Sequence, residues 1–152
     1  MINVPYCTIE EVRGMIKPDA LNAIIGDEYI EDEALREAKI MPIIEEAIGD
    51  ADGEIDGYLA KRYPIPFSPI PKVINKFSKD IAVYNLFSRI GIDESEKESN
   101  YLTRYKAAVR FLENVAKGMI EIGISDTTIK ANTGFAISSS PRRFSRDSMR
   151  GM

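Results

Sequence analysis

The sequence predicts a mainly α protein: a small bundle of three long helices, with short N-terminal helices before it and a C-terminal hairpin or extended arm after it. Three observations carry this. Apolar residues recur at three- and four-residue steps along three long stretches, the period of one helix face. Glycine and proline clusters separate those stretches. Beyond Gly118 the pattern changes to β-branched residues at even spacing. A chain of 152 residues suits one domain of ordinary size, read as a bundle over residues 1–118 and an arm with a basic tail over 119–152.

Thr8 and Glu11 make a capping-box pair that opens a short helix from about Ile9 to Ile16. Pro18, at a first-turn position, starts a second short element through Ala20, Leu21, Ile24 and Ile25, which Gly26 ends. The acidic segment DEYIEDEALREAKI reads as either a linker or a short helix leading to Pro42, where the first long helix is expected to begin. In that helix Ile43, Ile44, Ala47, Ile48, Ala51, Ile55, Tyr58 and Leu59 line one face, and Glu45, Glu46, Asp50, Asp52, Glu54 and Asp56 fall largely on the wetted side. Gly49, Gly53 and Gly57 each weaken a helix interior by about 1 kcal/mol relative to alanine. Their four-residue spacing forms a line that either admits the backbone of a neighbour, in this chain or another subunit, or simply faces solvent.

The string YPIPFSPIP follows, and its four prolines predict a stiff, extended connector. Ile65, Phe67 and Ile70 suit packing on the protein's own core better than a PxxP ligand for an SH3 or WW domain. Ile55, Tyr58, Leu59, Tyr63, Pro64 and Pro66 are therefore assigned to a structural junction, with Tyr58 and Leu59 buried against the next two helices. The second long helix is expected from about Pro71 to Ile90, with Val73, Ile74, Phe77, Ile81, Tyr84 and Phe87 on one side. The third runs from about Ser99 to Lys117 on Tyr101, Leu102, Tyr105, Ala108, Val109, Leu112, Val115 and Ala116, ending at Gly118. Ile129, Ala131, Phe135 and Ile137 then alternate about a Thr-Gly turn, as in a hairpin or arm. The closing residues carry Arg142, Arg143, Arg146 and Arg150 against one acid, Asp147.

The residue inventory argues against most catalytic chemistry. The chain has no histidine and one cysteine, Cys7, which removes Ser-His and Cys-His pairs, ordinary zinc sites and internal disulfides. No phosphate-binding glycine loop occurs. The stretch DADGEIDGYL resembles the start of a calcium loop, which needs glycine at its sixth position and a bidentate Glu at its twelfth. Starting at Asp50 puts Ile55 and Lys61 at those positions, and starting at Asp52 puts Gly57 and Tyr63 there. Neither lysine nor tyrosine closes a calcium cage, so no metal, cofactor or catalytic residue is assigned. With no long apolar run and no signal-peptide pattern, the chain reads as soluble, unexported and not an enzyme.

The net charge of −4 conceals an acidic front and a basic back. Residues 1–60 hold 15 acids and 4 bases, whereas residues 61–117 hold 11 bases and 6 acids. Such polarity can orient head-to-tail contacts between copies of one chain.

Three strings carry a family resemblance: EIDGYLAKRYPIPF, DIAVYNLF and the closing SSPRRFSRDSMRGM. They resemble a family of small structural proteins of Mu-like phages and prophages, found among head and neck genes. The matching positions include Glu54, Ile55, Asp56, Gly57, Tyr58, Leu59, Arg62, Tyr63 and Pro64, then Asp80, Ile81, Ala82 and Tyr84, then Pro141, Phe144, Ser145, Arg146, Met149, Arg150 and Gly151. The resemblance brings no catalytic residues. It implies a virion neck protein, in the host cytoplasm during assembly, similar in role to helical head-completion adaptors. Its partners would be the portal protein and tail or tail-completion proteins, near packaged DNA and away from membranes, in a homo-oligomeric ring that is twelvefold by analogy. Arg142, Arg143, Phe144, Arg146, Met149 and Arg150 are the candidate docking residues of the tail. A small DNA-contacting or regulatory module using the basic tail is the alternative.

Overall fold

A computed structural model describes residues 4–26, 30–91 and 96–124. Five helices follow in order: α1 (Ile9–Met15), α2 (Pro18–Ile25), α3 (Glu33–Leu59), α4 (Lys72–Ser88) and α5 (Glu96–Ala116). No strand occurs among the described residues, and the protein is a mainly α bundle. The expected hairpin and the tail lie outside the described residues.

The short helices follow their local signals. The Thr8 side chain accepts from the Glu11 amide at 3.2 Å, and Glu11 accepts from the Thr8 amide at 2.9 Å, closing the capping box. Pro18 occupies the first turn of α2, and Gly26 closes that helix in the left-handed region at φ 113°. α5 ends in a Schellman motif: Met119 N–H donates to the Asn114 carbonyl at 2.9 Å and Gly118 N–H to that of Val115 at 3.0 Å, with Gly118 at φ 82°.

The first long helix departs from expectation. It begins at Glu33, capped by the Asp32 side chain on Ala34 N–H at 3.0 Å, and passes through Pro42 instead of starting there. An interior proline deletes one helical hydrogen bond and crowds the preceding turn. Tertiary contacts override that cost. Ile40 and Ile44, on either side of Pro42, are fully buried, and Arg13 of α1 grips Glu37 with a guanidinium nitrogen at 2.7 Å. Residues 33–40 of the acidic segment thus belong to α3 itself and are not a separate short helix before Pro42.

α4 is the most enclosed helix, packed against α3, α5 and α1. Ile74, Phe77, Ile81, Ala82, Val83, Leu86 and Phe87 are all buried. α5 returns antiparallel to it, and aromatic pairs record the register. Phe77 meets Phe111 at 4.8 Å between ring centroids, Tyr84 stacks on Tyr105 at 4.0 Å and Phe87 on Tyr101 at 4.3 Å. Ala108, Leu112 and Val115 complete the seam.

The proline connector also departs from an extended strut. It bends twice, and the Ile65–Pro66 and Ser68–Pro69 peptides are cis. Phe67 turns inward between Tyr6 and Tyr63, at ring distances of 5.7 and 6.0 Å, so the connector packs on its own core as expected. Among the described residues no helix is long and apolar enough to cross a membrane.

Candidate functional site

The junction residues singled out from the sequence gather where α3 ends, but not all face inward. Ile55 and Leu59 are completely buried, Tyr58 and Tyr63 are half-buried, and Pro64 and Pro66 are exposed. The neighbouring Arg62 reaches across to α5 and donates to the Val115 carbonyl at 2.6 Å. A guanidinium there satisfies one terminal carbonyl and opposes the negative end of the helix dipole. The Tyr63 hydroxyl in turn accepts from Ile122 N–H at 3.1 Å. Residues 119–124 therefore leave the bundle alongside the proline connector, with Ile122 buried.

A second cluster answers the question of the carboxylates between residues 50 and 56. Asp52 is not on the wetted side. It is buried, and accepts from Tyr6 N–H at 3.0 Å and from the Ser78 hydroxyl at 2.8 Å. Burial pushes its pKa up, while those two hydrogen bonds pull it back. Asp56, one turn on, accepts from the Tyr6 hydroxyl. Burial, followed by the bond to Asp56, pushes the phenol pKa up. Both carboxylates tie the N-terminal segment to the bundle, which is structural work with no metal required. Asn75 adds a bond to the Tyr6 carbonyl at 2.9 Å. Beside this cluster the Cys7 sulfur lies 3.2 Å from the Ser78 hydroxyl oxygen, and burial pushes that thiol up to about 11. A thiol so protonated and enclosed is a packing element and a poor nucleophile.

Asp80 is the third special carboxylate. Its side chain is 1% exposed and lies between two cations, Lys76 Nζ at 2.9 Å from Oδ2 and an Arg104 nitrogen at 2.8 Å from Oδ1. Oδ1 has no well-aligned hydrogen bond, so the Arg104 contact acts as an ion pair more than as a directed bond. Lys76 and Asp80 share α4, whereas Arg104 comes from α5, so this carboxylate clamps the two helices together.

Sequence reasoning missed the roles of Asp52, Asp80 and Arg62. A signal existed for the first two. Asp52 fills a slot in the buried series Ile48, Ile55, Leu59, and Asp80 lies between Phe77 and Tyr84 at the same three- and four-residue steps. Arg62 gave no such signal, because its acceptor lies in another helix.

A shallow cavity of about 270 Å³ between α3 and α4 is lined by Ala47, Asp50, Glu54, Asn85, Ser88 and Arg89. Arg89 is held by Glu46 at 2.7 Å, and Ser88 donates to the Asn85 carbonyl at 2.9 Å. The lining thus offers a polar notch whose serine is paired to a backbone carbonyl and not to a base. Among the described residues no three acids or thiols cluster in a way that could hold a metal ion.

The residues that knit this bundle fall within the stretch that matches a known family. The family model described as Bacteriophage Mu, Gp36 matches residues 6–138. The chain belongs to the phage Mu Gp36 family. Two relatives agree with the match. The Mu-like prophage FluMu protein gp36 of Haemophilus influenzae is 32% identical over 123 residues, covering 80% of each chain. Gene product J of Escherichia phage Mu is 30% identical over 107 residues, covering 68% of this chain and 72% of its own. The Gp36 match begins at Tyr6, the residue bound to Asp52 and Asp56, and takes in Arg62, Tyr63 and Asp80. It stops before SSPRRFSRDSMRGM, so that one of the three resembling strings lies beyond the matched Gp36 region. The tail residues Arg142, Arg143, Phe144, Arg146, Met149 and Arg150 also lie outside the described residues.

Proposed function

We propose that this Gp36-family protein is a structural subunit of the phage neck, a head-tail connector that assembles as a ring between the portal protein and the tail. Its work resides in interfaces and not in a reaction. The observation that carries this reading is the pinned exit of the C-terminal segment. Arg62 holds the end of α5 and Tyr63 holds Ile122, so the chain reaches residue 124 at a defined end of the bundle. That arrangement suits an arm that docks on another virion component, with Phe144 as the apolar anchor and Arg142, Arg143, Arg146 and Arg150 pairing with carboxylates.

Deleting residues 139–152 tests the reading. Helical circular dichroism and melting temperature should stay nearly unchanged, while attachment to heads or tails is lost. A truncated protein that still completes infectious particles overturns the docking role. Steeply salt-dependent DNA binding by the full chain, without binding to portal, favours a DNA-contacting module instead.

A further inference from the structure

Two outward faces of the bundle carry charge that finds no counterpart within the described chain. On α3, Glu45 and Asp50 are exposed and make no ion pair among the described residues, whereas Glu46 and Glu54 are engaged by Arg89 and Tyr105. The same side of the helix is low, because Gly49, Gly53 and Gly57 are exposed and a Cβ added to any of them meets nothing within 4 Å. The chain's own packing gives no reason for glycine there. On α5, Lys106 and Arg110 are exposed one turn apart, also without an ion pair among the described residues, and the exposed Ala107 beside them leaves the surface low. The inward sides of both helices are taken, through Ile55 and Leu59 on α3 and Ala108, Leu112 and Val115 on α5.

We propose that the Glu45 and Asp50 face of α3 receives the Lys106 and Arg110 face of α5 from a second copy of this chain. Opposite charge selects the pairing and its orientation. Low relief along Gly53 and Ala107 lets the two helices approach at the short end of the usual 8–10 Å interaxial range. Because the two faces differ, the contact is heterologous, and the pair keeps one free α3 face on one copy and one free α5 face on the other. Repetition of that contact closes a ring when the rotation permits. The proposal rests on the ring reading above and names the surface that builds it.

Full-length chains carrying Gly53→Cys and Ala107→Cys, mixed at low salt under mild oxidation, should form a cross-linked heterodimer that salt suppresses. Charge reversal supplies the second arm. Glu45→Lys with Asp50→Lys in the Gly53→Cys chain, or Lys106→Glu with Arg110→Glu in the Ala107→Cys chain, should each cut cross-linking by about tenfold, and combining the two should restore it. The assignment is overturned by the absence of a mixed cross-link at the highest soluble concentration, by equal cross-linking of Gly53→Cys chains to themselves, or by indifference to charge reversal. Duplex DNA binding that is lost on Lys106→Glu with Arg110→Glu, without mixed cross-linking, would assign the α5 face to nucleic acid and also overturn it. Neck occupancy in particles separates the two levels. Reversal variants that still fill the neck sink the face assignment alone, whereas a parent chain absent from particles sinks the connector reading and this proposal together.

Discussion

The guanidinium of Arg62 lies 2.6 Å from the carbonyl oxygen of Val115, a contact across 53 positions of sequence that joins the end of α3 to the end of α5. A hydrogen bond to a charged donor contributes about 1.5–3 kcal/mol. Arg62 is largely exposed, so the lower part of that range applies. Arg62→Met should therefore cost about 1–2 kcal/mol in urea denaturation, with Arg62→Lys intermediate because a single ammonium reproduces only part of the fork. A loss indistinguishable from zero for Arg62→Met would remove the cap from the account of this end of the bundle.

Leu59 has no exposed surface, and truncation to alanine leaves a cavity in the hydrophobic core. Leu59→Ala should destabilise the protein by about 2–5 kcal/mol. Chemical denaturation measures it directly, and a loss below about 1 kcal/mol would mean that the site collapses around the smaller side chain.

The two cations around Asp80 should behave unequally. Lys76 is 60% exposed and pairs within one helix, whereas Arg104 is 39% exposed and spans two helices to a carboxylate that is 1% exposed. Lys76→Met should cost less than about 1 kcal/mol, as exposed pairs do. Arg104→Met strips a buried charge of its interhelical partner and should cost about 2–4 kcal/mol. Equal losses for the two variants would show that the interhelical pair to Arg104 contributes no more than the exposed pair to Lys76.

Glu11 sets a pH dependence. The Thr8 backbone N–H, then Asn75 and Lys79, hold its carboxyl below the ordinary 4.5. A carboxyl lowered in the folded state releases its proton more readily there than in the unfolded chain. Its stabilising contribution is thus present above the unfolded value and lost as pH falls through the folded one. Parent and Glu11→Gln should differ in melting temperature at neutral pH and converge in acid, below the folded-state value. A gap that stays constant with pH would attribute the difference to capping geometry instead of charge.

Much of the bundle was legible in the residues themselves. The Thr8 and Glu11 pair, Pro18, Gly26 and Gly118 act within a few residues of where they stand, so their structural consequences follow from sequence alone. The apolar periods behind α4 and α5 are likewise local, and their expected and observed ends differ by no more than the few residues over which helix ends fray.

Less legible was whatever depended on a partner distant in sequence. Pro42 argued for a helix start, yet burial of Ile40 and Ile44 and the grip of Arg13 on Glu37 carry α3 through it. Asp52 looked like one more wetted acid until Tyr6 and Ser78 supplied donors from two other segments.

The sequence by itself determined the helical class, the caps and the apolar stripes, because each is set by dihedral preference or by a repeat of 3.6 residues. Only the tertiary structure decided which charges are buried, where α3 begins and which end of α5 Arg62 closes. Desolvation and hydrogen-bond pairing depend on what lies across a gap in space, and a local pattern holds no record of that.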